Sequence, residues 1–188
     1  MEALEIIRKF YPQDNDLRRL LIHHSLQVTS RALKVVDAGH VGPVDRAFVE
    51  RAAMLHDLGI FLTDAPGIHC HGSAPYILHG ILGGKLLRQL GLEREACVCE
   101  RHTGTGLTLS EFARRGVKVP DGIYAPQSLE EQIICYADKF YSKSHPDRER
   151  TVEQAAKSLT KYGETGVKKF LAWAWKFETY RVAAEPGG

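Results

Sequence analysis

The sequence has little sulfur and few of the largest side chains: two methionines, two tryptophans and four cysteines among 188 residues. Four cysteines (Cys70, Cys97, Cys99, Cys135) do not form a disulfide framework in a chain of this length. Cys97 and Cys99 stand too close together for a C-x-x-C redox or zinc pair, and His69-Cys70-His71 matches no structural zinc spacing. No apolar run approaches the roughly 20 residues a membrane helix needs. No secretory-type segment precedes the first helical stretch, so the expectation is a cytoplasmic protein with reduced thiols and no membrane partner. An excess of one charge is also missing. Lys plus Arg number 25 and Asp plus Glu 23, a net charge of +2. That balance excludes a basic nucleic-acid coat or an acidic tail as the main theme, and no nucleic-acid partner is expected. Strand-like alternation, internal repeats and a linker are absent too.

What is present is helical periodicity and histidine. Apolar spacing predicts helices over about 2–10, 16–37, 45–59, 76–90, 93–102, 128–142, 148–162 and 166–180. Ser128 is placed to cap the sixth, with Glu131 in position for a capping box. A Pro-, Gly- and His-rich loop is expected over 63–75, and a longer irregular stretch over 103–127 with a helical turn near 109–115. Residues 184–188 are expected to fray. Trp173, Trp175, Phe177 and Tyr180 are expected to cover the core, with a dimer face as the alternative. The reading is a single all-α domain over residues 1–188.

Nine histidines are many for this composition, and their placement matters more than their number. His24 lies four residues after Leu20 and four before Val28, on the apolar stripe of the second helix. His56 lies on the inner face of the third, beside Asp57, and His79 shares a face with Leu82 and Leu86. His102 closes the fifth helix, and Asp138 interrupts the stripe of Ile134 and Tyr141. One histidine on an apolar face is ordinarily a hydrogen-bonded core residue, and one aspartate there is ordinarily ion-paired. Four histidines and two aspartates on the inner faces of separate helices, with few buried cations to offset them, are hard to satisfy except around metal. His23, next to His24, points about 100° away on a helix.

The order His24, His56-Asp57, Asp138, in the segments HHSLQV, MLHDLG and CYADKF, resembles the HD-domain superfamily of metal-dependent phosphohydrolases, a helical bundle. The signature region spans 23–143, with the helices of 148–180 packed on it. Two further segments, LHGILGG at His79 and ERHTGTG at His102, are similar to those of HD proteins that bind two metals. The whole pattern is similar to the bacterial symmetrical diadenosine tetraphosphate hydrolases, but with a longer segment between His102 and Asp138. The resemblance implies that His24, His56, Asp57 and Asp138 hold one metal, and that Asp57 bridges to a second held by His79 and His102. Mixed imidazole and carboxylate donors suit iron first, or manganese, zinc or nickel, over magnesium or calcium.

Two divalent ions about 4 Å apart acidify a bridging water and clamp a phosphoryl oxygen. The implied activity is therefore hydrolysis of a phosphoester or phosphoanhydride of a small phosphorylated molecule, a nucleotide first. Asp57 and Lys139 are the catalytic candidates, and Lys139, Arg101 and Lys143 the substrate-binding cations. Arg114, Arg115 and Lys118 of the long loop are placed to close over a ligand or to form a solvated face. The alternatives within the superfamily are a mixed-valent di-iron oxygenase and a non-catalytic nucleotide-binding protein. A homodimer is the remaining partner option.

Overall fold

Helix starts in this chain are set by side chains that accept the first free backbone N–H groups. Asn15 accepts from the N–H of Arg18 at the start of Asp16–Asp37 (α2). Asp45 accepts from Phe48 at Arg46–Leu55 (α3), and Ser128 from Glu131 at Leu129–Asp138 (α7). Thr108 and Thr151 form full capping boxes with Glu111 and Gln154, opening Leu109–Arg114 (α6) and Val152–Ser158 (α8). The computed structural model describes residues 2–179. Within them lie four more α-helices: Ala3–Phe10 (α1), His79–Gln89 (α4), Glu93–Arg101 (α5) and Glu164–Ala174 (α9). Tyr180 and the frayed end expected at 184–188 lie outside the described residues.

Several expectations need correction. The loop expected over 63–75 contains a small sheet, so the fold is mostly helical rather than wholly so. Thr63–Ala65 (β1) is its central strand, antiparallel to Cys70–His71 (β2) and parallel to Ala74–Pro75 (β3). Strands of two and three residues are too short to leave a period-two pattern. The third helix ends at Leu55, because His56 is already its C-cap. The helix opened by Ser128 stops at Asp138, and 148–162 narrows to α8 plus a 3-10 turn at Thr160–Tyr162. Glu131 does not close a capping box. Its carboxylate accepts instead from the N–H of Gln127 at 2.7 Å and pairs with Arg101.

Among the described residues two large apolar cores meet, beside a smaller cluster of Ile81, Leu107, Phe112 and Tyr124. One gathers Val28, Ala32, Phe48, Ala52, Ile134, Tyr136, Phe140, Phe170 and Phe177 from α2, α3, α7 and the C-terminal segment. The other gathers Ile6, Ile7, Leu21, Leu55, Leu58, Leu87 and Cys99 from α1 to α5. α2 contributes to both, Leu21 to the second and Val28 to the first, and His24 falls between them. α3 does the same, passing from Ala53 to Leu55 just before His56. The polar residues therefore lie along the seam of the two cores. Trp173 and Phe177 are buried there as expected, whereas Trp175 is 69% exposed.

Glycines set the separation of the elements at that seam. A Cβ on Gly59 would stand 2.2 Å from the carbonyl oxygen of His79, and one on Gly80 would stand 2.3 Å from that of Cys99. Only the missing side chain lets the His-Asp turn approach α4, and α4 approach α5. Tyr11 holds the same turn from the other side, donating its hydroxyl to the Leu58 carbonyl at 2.7 Å and accepting from the N–H of Phe61 at 3.3 Å.

Candidate metal centre

Three of the four inner histidines are built alike. Each caps a helical turn and places its Nδ1 on the carbonyl three residues earlier: His56 on Ala53 at 2.6 Å, His79 on Tyr76 at 2.7 Å, His102 on Cys99 at 2.7 Å. A carbonyl only accepts, so Nδ1 carries a proton, and whenever the ring is neutral its lone pair is presented at Nε2.

Those Nε2 atoms converge on Asp57, which is fully buried. His56 and His24 lie 3.1 and 3.2 Å from its Oδ2, and His79 and His102 lie 3.3 and 3.4 Å from its Oδ1. The Nε2 atoms of His79 and His102 are 3.0 Å from each other. Asp138 completes one side, its Oδ1 at 3.0 Å from His24 and 3.5 Å from His56. Yet both Asp57 oxygens and His56 Nε2 are buried without a partner in hydrogen-bond geometry. Lone pairs facing lone pairs at 3.0–3.5 Å repel, and a buried acceptor left unpaired is costly. A divalent cation accepts from all of them at once, so the donor set fits the metals that the resemblance implies. The donor atoms fall into two groups that share Asp57: His24, His56, Asp57 and Asp138, and Asp57, His79 and His102.

The local electrostatics agree with unprotonated donors on the second group. Burial pulls His79 down to about 3 despite the nearby Asp57 carboxylate, and burial lowers His102 as well. Burial also pulls on His56, but the Asp57 and Asp138 carboxylates outweigh it and lift the ring to about 9. For the two aspartates burial works upward, and the neighbouring cations and rings prevail. Lys143 and His56 hold Asp57, and Lys139 and His24 hold Asp138, well below the ordinary carboxylate range.

Two lysines pin the centre. Lys139 donates to Asp138 Oδ2 at 2.6 Å and to the His102 carbonyl at 2.8 Å, so it ties one ligand to the backbone of another. Lys143 stands 2.5 Å from Asp57 Oδ2. Both face a cavity of about 400 Å³ that opens onto His79, His102 and Asp138. Arg101, expected to bind substrate, does not line that cavity; its guanidinium is committed to Glu131 at 2.9 Å. His23 turns outward to the Pro146 carbonyl, and His69 and His71 are exposed and do not line the cavity.

Sequence reasoning missed Tyr76, which stacks on His79 at 4.6 Å between ring centroids and supplies the carbonyl that orients it. It also missed Arg150, which lines the cavity and donates to the Lys139 carbonyl at 3.2 Å. The signal for Tyr76 was its position three residues before a histidine. Arg150 offered none, because its place depends on the path of the chain after α7.

The sequence pattern of the HD domain matches residues 21–142. An uncharacterized protein of Methanocaldococcus jannaschii is 35% identical over 142 residues, 73% of this chain and 72% of that protein. A protein of Picrophilus torridus named tRNA (cytidine(56)-2'-O)-methyltransferase is 33% identical over 124 residues, 65% of this chain. One of the same name from Thermoplasma volcanium is 26% identical over 176 residues, 93% of this chain. The chain spans 32% and 45% of the length of these two relatives. Among solved structures, the HD domain of the L. monocytogenes phosphodiesterase PgpH superposes with a TM-score of 0.54 at 15% identity, covering 97% of this chain and 99% of that one.

Proposed function

The chain belongs to the HD-domain family, and on that premise we propose that it is a metal-dependent phosphohydrolase acting on a small phosphorylated molecule, a nucleotide first. The observation that carries the reading is the convergence of four imidazole nitrogens and two carboxylates at 3.0–3.5 Å, beside a cavity edged by cations. His24, His56, Asp57 and Asp138 would hold one divalent ion, and Asp57, His79 and His102 a second. Iron is the first candidate, with manganese, zinc and nickel behind it. Bound by these donors, such ions would supply Lewis acidity toward a phosphoryl oxygen and a water acidified toward neutrality.

The chain's own groups then have distinct duties. The carbonyls of Ala53, Tyr76 and Cys99 keep the Nδ1 protons of three histidines in place, so each Nε2 stays a donor toward metal. Lys139 is a positioning residue: with two of its three protons used on Asp138 and the His102 carbonyl, it fixes two ligands relative to each other. Lys143 contacts Asp57 and lines the cavity, so it and Arg150 supply positive charge to a phosphate entering there. The near-zero net charge of the whole chain makes these local cations, not a global field, the source of attraction for an anion.

The relatives named as tRNA methyltransferases are matched over less than half their length. The proposal for this chain rests on its own ligand cluster. The test is metal analysis of anaerobically purified protein joined to a hydrolysis panel whose products are separated by chromatography. That panel should hold nucleoside monophosphates, cyclic nucleotides, dinucleoside polyphosphates and guanosine polyphosphates. The expected result is about two metals per chain and turnover of at least one class. Metal-free protein that cannot be loaded, or loaded protein inert on the whole panel, would overturn it.

A further inference from the structure

A second and larger cavity, of about 770 Å³, adjoins the first. Lys161 and Tyr162 form the border between them, since both residues line both cavities. The far cavity carries Arg114, Arg115, Lys161 and Lys169 against a single carboxylate, Glu111. That carboxylate is already taken by the backbone N–H and hydroxyl of Thr108 at the start of α6. Among the described residues none of the four cations makes an ion pair, whereas Arg18, Arg19, Arg31, Arg46, Arg88 and Arg94 all do. Cations whose contacts are rings and backbone carbonyls, with no carboxylate to neutralise them, favour a bound anion.

That border packs against the loop leaving His102. Gly104, two residues after His102, has φ +60°, and a Cβ there would come within 3.3 Å of the Tyr162 ring. Arg115 lies over the same ring at 5.2 Å and reaches the Lys161 carbonyl at 3.5 Å. Lys169 donates to the Thr105 carbonyl at 3.0 Å. The loop leaving His102 therefore connects the candidate metal centre directly to the basic cavity, and each cavity falls in the roughly 300–1,000 Å³ range of small-ligand sites.

From this juxtaposition we propose that the cavity beyond Tyr162 is a second phosphate-binding site, and that the substrate carries two phosphate groups, one facing the metal centre and one held by Arg114, Arg115 and Lys161. The inference rests on the phosphohydrolase reading for the first phosphate only. The second phosphate is bound and not transformed. Its role is to position the ligand and select against singly phosphorylated molecules.

The test is calorimetric titration of metal-loaded protein with adenosine 5'-monophosphate, adenosine 3',5'-bisphosphate, the dinucleotide ApA and its 5'-phosphorylated form pApA. The parent should bind the bisphosphate over the monophosphate, or pApA over ApA, by about tenfold or more, the range of one charge-assisted contact. In Arg114→Gln/Arg115→Gln, and separately in Lys161→Gln, that ratio should fall to within about twofold. The ratio is taken within each protein, so a general loss of affinity does not mimic the result. Lys118→Gln, which alters an exposed cation outside the cavity, should keep the preference. Absence of preference at both spacings in the parent, or its survival in both variants, would overturn the second site. Hydrolysis of bis(p-nitrophenyl) phosphate, which has one phosphate, is followed in parallel. No hydrolysis of this diester or of any member of the nucleotide panel, with the binding preference intact, would sink the hydrolase reading and still support the second site.

Discussion

Asp57 concentrates the chemistry of the chain in one side chain. Four imidazole nitrogens lie within 3.4 Å of its two oxygens, and Lys143 lies against one of them. Replacing it with Ala removes the donor common to both groups, so Asp57→Ala should lose bound metal and hydrolysis together, the latter by at least about a hundredfold. Metal analysis and turnover on one preparation check this, and retained activity would sink the site assignment. His79→Ala/His102→Ala should act differently, leaving about one metal per chain where the parent holds two. Of the six proposed ligands, His24, His56, His79 and Asp138 stand out in the sequence as polar residues on apolar faces, while Asp57 and His102, at helix ends, enter the set through the family resemblance. The cations could be read only in part: Lys139 and Lys143 line the cavity, whereas Arg101 does not. Arg101 was read as a substrate contact, but its partner Glu131 stands at the third position of α7, where a glutamate reads equally well as half of a capping box. Lys143 lies beyond the end of α7 in irregular chain, and nothing local points it at Asp57.

At the scale of elements, Gly59 decides how closely the His-Asp turn meets α4. Its absent Cβ would fall 2.2 Å from the His79 carbonyl and 2.3 Å from the Gly83 nitrogen, both backbone atoms that cannot rotate away. Gly59→Ala should therefore push α4 off the turn, at a cost of about 1–3 kcal/mol or more. His79 moves with α4, so the metal shared by Asp57, His79 and His102 should be lost ahead of the other. A melting curve and a metal count on the variant check both parts. α3 offers a pH test. The N–H of Phe48, followed by Arg94, holds the Asp45 carboxyl below its ordinary value. A depressed folded value means that the contribution is full above the unfolded value near 4 and is lost as pH falls through the folded one. Asp45→Asn keeps the cap without the titration. The parent should melt higher than this variant at neutral pH, and the gap should close as pH drops below about 4. The Ser128 cap was legible because a serine stands just before an apolar run, whereas the helix that the spacing predicts from about 148 is opened only at Thr151. The sheet was not legible, since β1, β2 and β3 hold two or three residues each and their pairing depends on contacts across the turn at 66–69.

For the whole molecule, the seam between the two cores couples the site to stability. The carboxylates and imidazoles there come from the middle of α2, the turn after α3, the start of α4 and the ends of α5 and α7, so five helices meet at one cluster whose Asp57 oxygens and His56 Nε2 are unsatisfied without a cation. The helical pattern alone showed that these helices exist, but the division into two cores could not be read from it. Leu21 and Val28 look like one stripe until the structure assigns them to different clusters. A ligand that binds the folded state alone stabilises it by about 2.7 kcal/mol when present at a hundred times its dissociation constant. For a chain of this size each kcal/mol moves the melting temperature by about 2–4 °C. Chelation should thus lower Tm by roughly 5–11 °C at that loading, and adding back the native metal should restore it. Asp57→Ala should melt lower than the loaded parent and show no further drop with chelator, because the donor common to both groups is gone. A variant that still loses several degrees on chelation would be holding its metal somewhere else, and the cluster could not be the centre of the molecule's chemistry.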